Sequence, residues 1–265
     1  MIEWNLEDPK GKSLEEVREI RYEIEERIRN LRHKLQRLYL LKDKLVSSRN
    51  KKIFFAELIG TFTVIVFATG SVVLDAKLNG ALGLPFMAIA PAIAVAIGIY
   101  LFGKTSMAHF NPAVTVAFLI TKHLERKKRL LLIYLLAEIL GGILASFFIY
   151  FIFGNQVHLG ANAPNYTDFP IYVIVGIEIF ASALLMLVVL IVVYTKGLKK
   201  FGGLLIGATV GLDVFLFGLI SGVSMNPARS LAPAVVSGYY IDLWLYLTAP
   251  FIGTTIVGLL LKNKF

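Results

Sequence analysis

The chain of 265 residues is 57% hydrophobic with a mean hydropathy of +0.71, which is too apolar for an ordinary soluble domain and indicates a membrane protein. It contains no cysteine, so no disulfide framework is expected. A net charge of +9 is compatible with a nucleic-acid partner, but the distribution of that charge argues against one.

Residues 1–50 predict a separate unit, a charged amphipathic helix. A capping box of Ser13 and Glu16 marks its start, and the charged beginning of the chain lacks the apolar stretch of a cleavable signal peptide. Its role is open between a coil that clamps a tetramer, a membrane-surface helix, a docking site and a solvated helix. The 3–4 spacing of a coiled-coil seam is followed by Leu14, Val17, Ile24, Ile28, Leu31, Leu35, Leu38 and Leu45, with Arg21 and Lys42 completing the register.

The second unit, residues 51–265, contains six apolar runs that predict transmembrane helices. Two further segments, at 111–120 and 226–237, are too short to cross a hydrocarbon core of ~30 Å and predict re-entrant half-helices. The fold class is therefore an all-α integral membrane protein. The six spans lie near 53–74, 85–103, 129–153, 170–194, 203–221 and 241–261.

Each half-helix opens on one short motif, Asn111-Pro112-Ala113 or Asn226-Pro227-Ala228. Asn is a strong N-cap residue, and Pro fits the first helical position. A helix that begins at membrane depth exposes N–H groups, which are tolerated in a wet cavity or in buried protein. The two starts predict half-helices that point their positive ends at one midplane site.

A glutamate lies about fifty residues before each motif, Glu57 in the first span and Glu178 in the fourth. We expect both to accept hydrogen bonds from backbone N–H groups of the re-entrant loops and so to support them. Since three spans separate the two units, the halves have opposite topology. An inverted repeat with broken helices at its midplane is typical of transport proteins.

Lys and Arg residues indicate the orientation. Fourteen precede the first span, and more lie in the connections at 122–129 and 196–200 and at the C-terminus, whereas the opposite side carries Lys77 alone. Both termini are therefore expected in the cytoplasm, and nucleic acid is not expected as a partner. The Lys and Arg residues of these two connections and of the C-terminus are Lys122, Arg126, Lys127, Lys128, Arg129, Lys196, Lys199, Lys200, Lys262 and Lys264.

Residues 105–115 and 221–231 resemble the two signature loops of the aquaporin, or major intrinsic protein, family, and the resemblance extends over about 53–262. Arg229 after the second motif and a glutamate in spans one and four strengthen it. The resemblance implies a plasma-membrane homotetramer in the lipid bilayer, in which each subunit has its own pore for passive transport of water and small neutral solutes.

Asn111 and Asn226 offer NH₂ donors where the half-helix ends meet. A water oxygen that accepts from both must turn its hydrogens toward the exits, which disfavours a continuous proton wire. The alternative is plain helix capping in a buried loop. Unpaired carbonyls that can accept from permeating molecules are expected at Met107, Ala108, His109, Gly222, Val223 and Ser224.

In the family that the chain resembles, Arg229 forms an outer constriction with three positions that fall here on Pro91, Val214 and Val223. Strict water channels usually have an aromatic ring at the first and a His at the second, and this chain has neither. We therefore expect a wider, apolar constriction that also passes small neutral solutes such as glycerol.

The sequence also makes predictions for four other residues. Glu138 is expected to make a packing or loop contact, and His109 to brace a loop. Asp213 is expected to hydrogen-bond a neighbouring helix, or alternatively to offset part of the charge of Arg229. Met107 stands where the family usually has Gly, so a positive φ would strain it.

The function expected is a channel for water and small neutral solutes that excludes protons and ions. Two alternatives are a facilitator whose main solute is glycerol and a structural or scaffolding protein with a closed pore. The sequence has no metal-ligand cluster and no Gly-rich phosphate loop, so no metal, no cofactor and no enzymatic activity are expected.

Overall fold

A computed structural model describes residues 8–121, 124 and 128–262. The chain separates into two compact units, Met1–Arg49 and Asn50–Phe265. Part of the charge count used for the orientation, namely Lys122, Arg126, Lys127 and Lys264, lies outside the described residues. The orientation in the membrane therefore stays a prediction.

The first unit is helical from Leu14 onward, as the apolar spacing predicts. The capping box is formed, since the Ser13 N–H and hydroxyl both donate to Glu16 at 2.7 Å and the Glu16 N–H donates back to Ser13 at 3.4 Å. Two ion pairs follow along the helix, Arg21–Glu25 at 3.7 Å and Arg27–Glu23. Such i,i+4 pairs support a solvent-exposed helix by a few tenths of a kcal/mol each.

The second unit is built from α-helices, and the described part of the chain contains no β-strand. Six of the helices are long and apolar enough to cross a membrane. Five of them lie within a few residues of the predicted spans, whereas the first predicted span, 53–74, is the last part of a longer helix that begins at Leu14. Short 3₁₀ segments occur at Gln156–Gly160 and Lys199–Phe201. The helices are α1 (Leu14–Lys77), α2 (Gly83–Ser106), α3 (Pro112–Ile120), α4 (Lys128–Phe153), α5 (Ile171–Tyr194), α6 (Gly202–Ser221), α7 (Pro227–Ser237) and α8 (Leu243–Leu261).

Helices α3 and α7 are short, with 9 and 11 residues, and both begin where the Asn-Pro-Ala motifs predict. Asn111 caps α3 by accepting from the Ala113 N–H at 2.9 Å, and Asn226 caps α7 by accepting from the Ala228 N–H at 3.0 Å. Each cap satisfies one of the N–H groups that a helix start leaves without a partner.

The long helices around α3 and α7 pack closely against each other. Helix α2 packs against α6, and α5 packs against α8. A Cβ built on Gly207 would lie 2.4 Å from the Ala92 carbonyl oxygen, and one on Gly253 would lie 2.2 Å from the Ile179 carbonyl oxygen. Both helix pairs therefore depend on a glycine at the crossing, because any larger side chain would push the backbones apart.

Candidate functional site

The N-termini of α3 and α7 meet through their capping asparagines. The Asn111 side-chain amide donates to the Met225 carbonyl at 2.8 Å, and the Asn226 amide donates to the Phe110 carbonyl at 2.8 Å. Each cap thus binds the loop of the other half, so the two half-helix starts are held together by a reciprocal pair of hydrogen bonds.

These contacts fix the orientation of both amide groups. In each asparagine the Oδ1 atom accepts from its own helix, so Nδ2 must face the opposite half. An amide nitrogen carries two hydrogens, and the crossing bond uses one of them. Since Asn111 and Asn226 both line the central cavity, the second hydrogen of each is available to a molecule inside it.

The central cavity has a volume of about 800 Å³ and reaches both loops. The other motif residues, Pro112, Ala113, Pro227 and Ala228, are buried and lie behind the cavity wall. All the expected filter and carbonyl positions line it: Pro91, Val214, Val223 and Arg229, together with Met107, Ala108, His109, Gly222 and Ser224.

The glutamates expected to support the loops lie behind them, fully buried. Glu57 accepts from the His109 N–H at 3.0 Å and from the Phe110 N–H at 2.7 Å. On the other side, Glu178 accepts from the Ser224 N–H at 3.0 Å and the Met225 N–H at 3.4 Å. Both carboxyl groups thus bind the two residues at matching positions before each capping asparagine.

A second matched pair of supports could not be predicted from the sequence. Tyr134 donates to the Ser106 carbonyl at 2.5 Å, and Tyr246 donates to the Ser221 carbonyl at 2.6 Å. Both serines are the last residues of long helices, α2 and α6, just before the loops. The two halves therefore share their framework contacts, as a repeat requires. Each tyrosine is far from its serine along the chain, so the sequence carried no signal for these two contacts.

Both loops run through left-handed backbone. Met107 has φ 69° and Ala108 has φ 53° in the first loop, and Val223 has φ 31° and Met225 φ 55° in the second. A non-glycine residue in this region costs about 1–2 kcal/mol. The positive φ that would strain Met107 is present, whereas the equivalent position in the second loop is Gly222, at φ 77°. Buried hydrogen bonds hold these strained loops in place.

Arg229 is almost fully buried, with 9% of its surface exposed, and faces the cavity. Its Nη1 donates to the Gly160 carbonyl at 3.0 Å and to the Asn162 side-chain oxygen. Asn162 also accepts from the Ser230 hydroxyl at 2.6 Å and donates to the Gly222 carbonyl at 2.7 Å. Asn162 therefore connects Arg229 to the second loop. Its hydrogen bond also occupies part of the Gly222 carbonyl, which we expected to accept from permeating molecules.

Sequence reasoning missed Asn162. It lies in the connection 154–169, far from either motif along the chain. The available signal was that an arginine at membrane depth needs hydrogen-bond acceptors, and that this connection, which has no Lys or Arg, contains three asparagines.

The four expected constriction residues all border the cavity, and three of them are apolar. No His or aromatic ring stands at position 214 or 91. The described residues that line the cavity include no Asp or Glu, whereas Lys104, Lys199, Lys200 and Arg229 are among them. With two helix N-termini added, the fixed charges along this cavity are of one sign.

Glu138 was expected to make a packing or loop contact and His109 to brace a loop, and both contact Thr115 of α3. The Thr115 hydroxyl donates to Glu138 at 2.6 Å and lies 2.8 Å from His109 Nδ1. The His109 ring is stacked between Phe118 and Tyr134, with centroid distances of 4.7 and 4.5 Å. This packing leaves the ring no room to swing, which fits a brace for the loop.

The hydrogen bond expected between Asp213 and a neighbouring helix is wrong. The residue is fully buried in α6, and neither carboxyl oxygen has a hydrogen-bond partner among the described residues. A carboxyl group in the middle of a span would be expected to find a polar partner on an adjacent helix. Among the described residues, the helices around Asp213 provide none.

Comparisons with known proteins agree with this architecture. Residues 44–261 match the family model of the major intrinsic protein. Aquaporin NIP1-1 of Zea mays is 37% identical over 200 residues, 75% of this chain and 69% of that protein. Nodulin-26 of Glycine max is 35% identical over 213 residues, 80% and 77% respectively.

Among solved structures, the aquaglyceroporin from Plasmodium falciparum aligns with a TM-score of 0.70 at 23% identity, covering 81% of this chain and 96% of that one. This likeness shows the same fold. The family model and the relatives at 35–37% identity establish that the chain belongs to the major intrinsic protein family and is a membrane channel for water and small solutes, not an enzyme.

Proposed function

We propose that the cavity between the two loops is a pore that conducts water and small neutral solutes such as glycerol and excludes protons and ions. The reciprocal bonding of Asn111 and Asn226 carries this proposal. It aims one free N–H from each half at the same stretch of the cavity, where a passing water oxygen can accept from both.

Proton exclusion follows from the geometry of that acceptor. A water molecule whose oxygen accepts from two fixed donors points its hydrogens toward the two exits, so neighbouring waters cannot form one continuous donor chain. The half-helix N-termini each carry roughly +0.5 of a charge, and Arg229 adds a full one. A proton or other cation would cross this region against a positive potential in a low-dielectric medium.

Glycerol permeation follows from the constriction. Pro91, Val214 and Val223 line the same cavity as Arg229. We expect them to form the constriction with Arg229, and their small apolar side chains would leave more width there than an aromatic ring would. The apolar side of the constriction suits the carbon backbone of a small polyol, while Arg229 and the loop carbonyls can bind its hydroxyl groups. We expect glycerol to pass more slowly than in a dedicated facilitator, because an aromatic stacking surface is lacking.

Flux in vesicles tests the proposal. The purified chain is reconstituted, and osmotic water flux and glycerol flux are measured by light scattering against protein-free vesicles. Flux of both, with water dominant, supports the proposal, and dominant glycerol flux would make the chain a glycerol facilitator. Flux of neither would favour the scaffolding role with a closed pore. Val214→Trp should block the pore, and Leu212→Trp is the matched control, because Leu212 is 58% exposed and does not line the cavity.

The same proposal places the chain in the plasma membrane as a homotetramer with both termini in the cytoplasm. The surplus of Lys and Arg in the N-terminal segment and in the connection 196–200 supports this orientation. Cross-linking in vesicles would report the number of subunits, and protease access to the N-terminal segment would report the orientation.

A further inference from the structure

Three lysines line one mouth of the central cavity. Lys104 lies in the last turn of α2, and Lys199 and Lys200 lie in the short 3₁₀ segment that precedes α6. The end of α2 is beside the start of α6, because the Leu204 N–H donates to the Tyr100 hydroxyl at 3.3 Å. The three lysines therefore belong to a single opening of the cavity.

This mouth is far from Arg229. The Arg229 side chain donates to Asn162, which in turn donates to the Gly222 carbonyl, directly after the last residue of α6. The three lysines lie at the opposite end of that helix, which has 20 residues and is therefore about 30 Å long. The cavity thus has two separate groups of positive charge, one toward each end.

The protein does not neutralise the charge at the lysine mouth. In the described part of the chain no Asp or Glu lines the cavity, and none of the ion pairs found there involves these lysines. Lys200 lies 4.9 Å from the centre of the Phe201 ring, a contact that leaves its charge in place. Helix α6 begins at Gly202, which lines the cavity, and no side chain caps it, so its N-terminus adds positive partial charge.

An anion that carries phosphate fits this mouth by charge and by chemistry. Lysine binds phosphate as a point charge, and a helix N-terminus binds it through backbone N–H groups. Because the lysines come from two segments of the chain, an anion with two phosphoryl groups can contact both segments at once. Cations are repelled here, and a neutral solute gains little from the charge.

We propose that the lysine mouth binds a phosphate-bearing anion and that the bound anion closes the pore. Binding depends on the mouth alone. Closure rests on the proposed function, because the anion would occupy the path of the permeating solute. In the orientation proposed above, this mouth faces the cytoplasm, where the phosphate can belong to a soluble anion or to the headgroup of a membrane lipid.

Inorganic pyrophosphate is the probe for a soluble source. The chain is reconstituted in phosphatidylcholine vesicles with pyrophosphate at equal concentration inside and outside, and osmotic water flux is compared with the flux in sodium chloride of equal ionic strength. Millimolar pyrophosphate should lower the flux several-fold, and orthophosphate should lower it less. Since the attraction is between opposite charges, added sodium chloride should weaken the inhibition.

Single substitutions locate the site. Lys199→Gln and Lys200→Gln, each compared with its own flux in sodium chloride, should raise the pyrophosphate concentration for half inhibition several-fold. Lys196→Gln is the matched control, because it removes the same charge from the same connection but Lys196 does not line the cavity. The control should keep the half-inhibition concentration of the wild type.

Calorimetric titration of the detergent-solubilised chain with pyrophosphate measures binding without flux. Wild type and Lys196→Gln should bind alike, and Lys199→Gln and Lys200→Gln should bind several-fold more weakly. If the vesicles show no water flux even without pyrophosphate, the proposed pore and its closure are both wrong, whereas this binding pattern would still support the site.

Phosphatidylglycerol vesicles test the lipid source. Water flux that is lower in them than in phosphatidylcholine, and that Lys199→Gln restores but Lys196→Gln does not, would identify the lipid headgroup as the bound phosphate.

Three results would overturn the proposal. Equal inhibition of all variants would place the effect of pyrophosphate outside the lysine mouth. Calorimetric binding that leaves flux unchanged would refute closure. Absence of pyrophosphate binding, together with equal flux in the two lipids, would show that the mouth binds no phosphate.

Discussion

Replacing Glu178 by Gln should destabilise the second loop. The carboxyl group accepts from the Ser221 hydroxyl at 2.8 Å, the Ser224 N–H at 3.0 and 3.1 Å and the Met225 N–H at 3.4 Å. Glutamine keeps one acceptor oxygen and replaces the other by an NH₂ group. That NH₂ group is a donor, so it cannot bind the backbone N–H that the lost oxygen accepted from. Losing one bond and leaving a buried N–H without a partner costs about 2–4 kcal/mol.

For a domain of this size, a loss of about 1 kcal/mol in the free energy of unfolding lowers the melting temperature by roughly 2–4 °C. The Glu178→Gln variant should therefore unfold in detergent about 4–16 °C below the wild type, and its water flux should be reduced. Glu138→Gln is the matched control. Glu138 accepts from Thr115 through one oxygen, and its other oxygen has no partner among the described residues. The amide keeps that acceptor and puts its NH₂ group where the carboxyl oxygen already had no partner, so no existing hydrogen bond is lost and the control should unfold at a higher temperature than Glu178→Gln. Equal losses in both variants would refute the loop-support role of Glu178.

Three further outcomes are expected. Val214→His should lower glycerol flux more than water flux at equal protein density, and wild-type vesicles that already exclude glycerol would show that another residue closes the pore. Mercuric chloride should leave water flux unchanged because the chain has no thiol, and Val223→Cys should make the flux sensitive to it. Asn162→Ala should leave Arg229 with the Gly160 carbonyl as its one remaining hydrogen-bond acceptor among the described residues, which should lower thermal stability and raise the ratio of glycerol to water flux.

Much of the fold could be predicted because membrane spans have strong local signals. Hydrophobic runs of about twenty residues indicated all six long helices, and the Asn-Pro pairs located both short ones to the residue. The matched positions of Glu57 and Glu178 indicated the loops that they bind. In each case the residue type and its spacing were sufficient, since lipid leaves few structures that satisfy the backbone.

The remaining features depend on contacts between distant segments. Asn162 reaches Arg229 across 67 residues of chain, and nothing in its local sequence marks it. Asp213 could not be placed because the polarity of the helix surfaces around it depends on the packing of α6. The roles of Tyr134 and Tyr246 could not be predicted, because each hydroxyl binds the carbonyl at the end of a distant helix, α2 or α6, whose position depends on the fold.

Proton leak measured beside water flux tests the central claim most directly. Vesicles containing the reconstituted chain and a pH-sensitive dye are given an osmotic step and, separately, a pH step under an imposed membrane potential. The pairing of Asn111 with Asn226 and the charge of Arg229 predict that water flux rises with protein density while proton leak stays at the level of protein-free vesicles. Proton leak that rises in proportion to water flux would contradict the account.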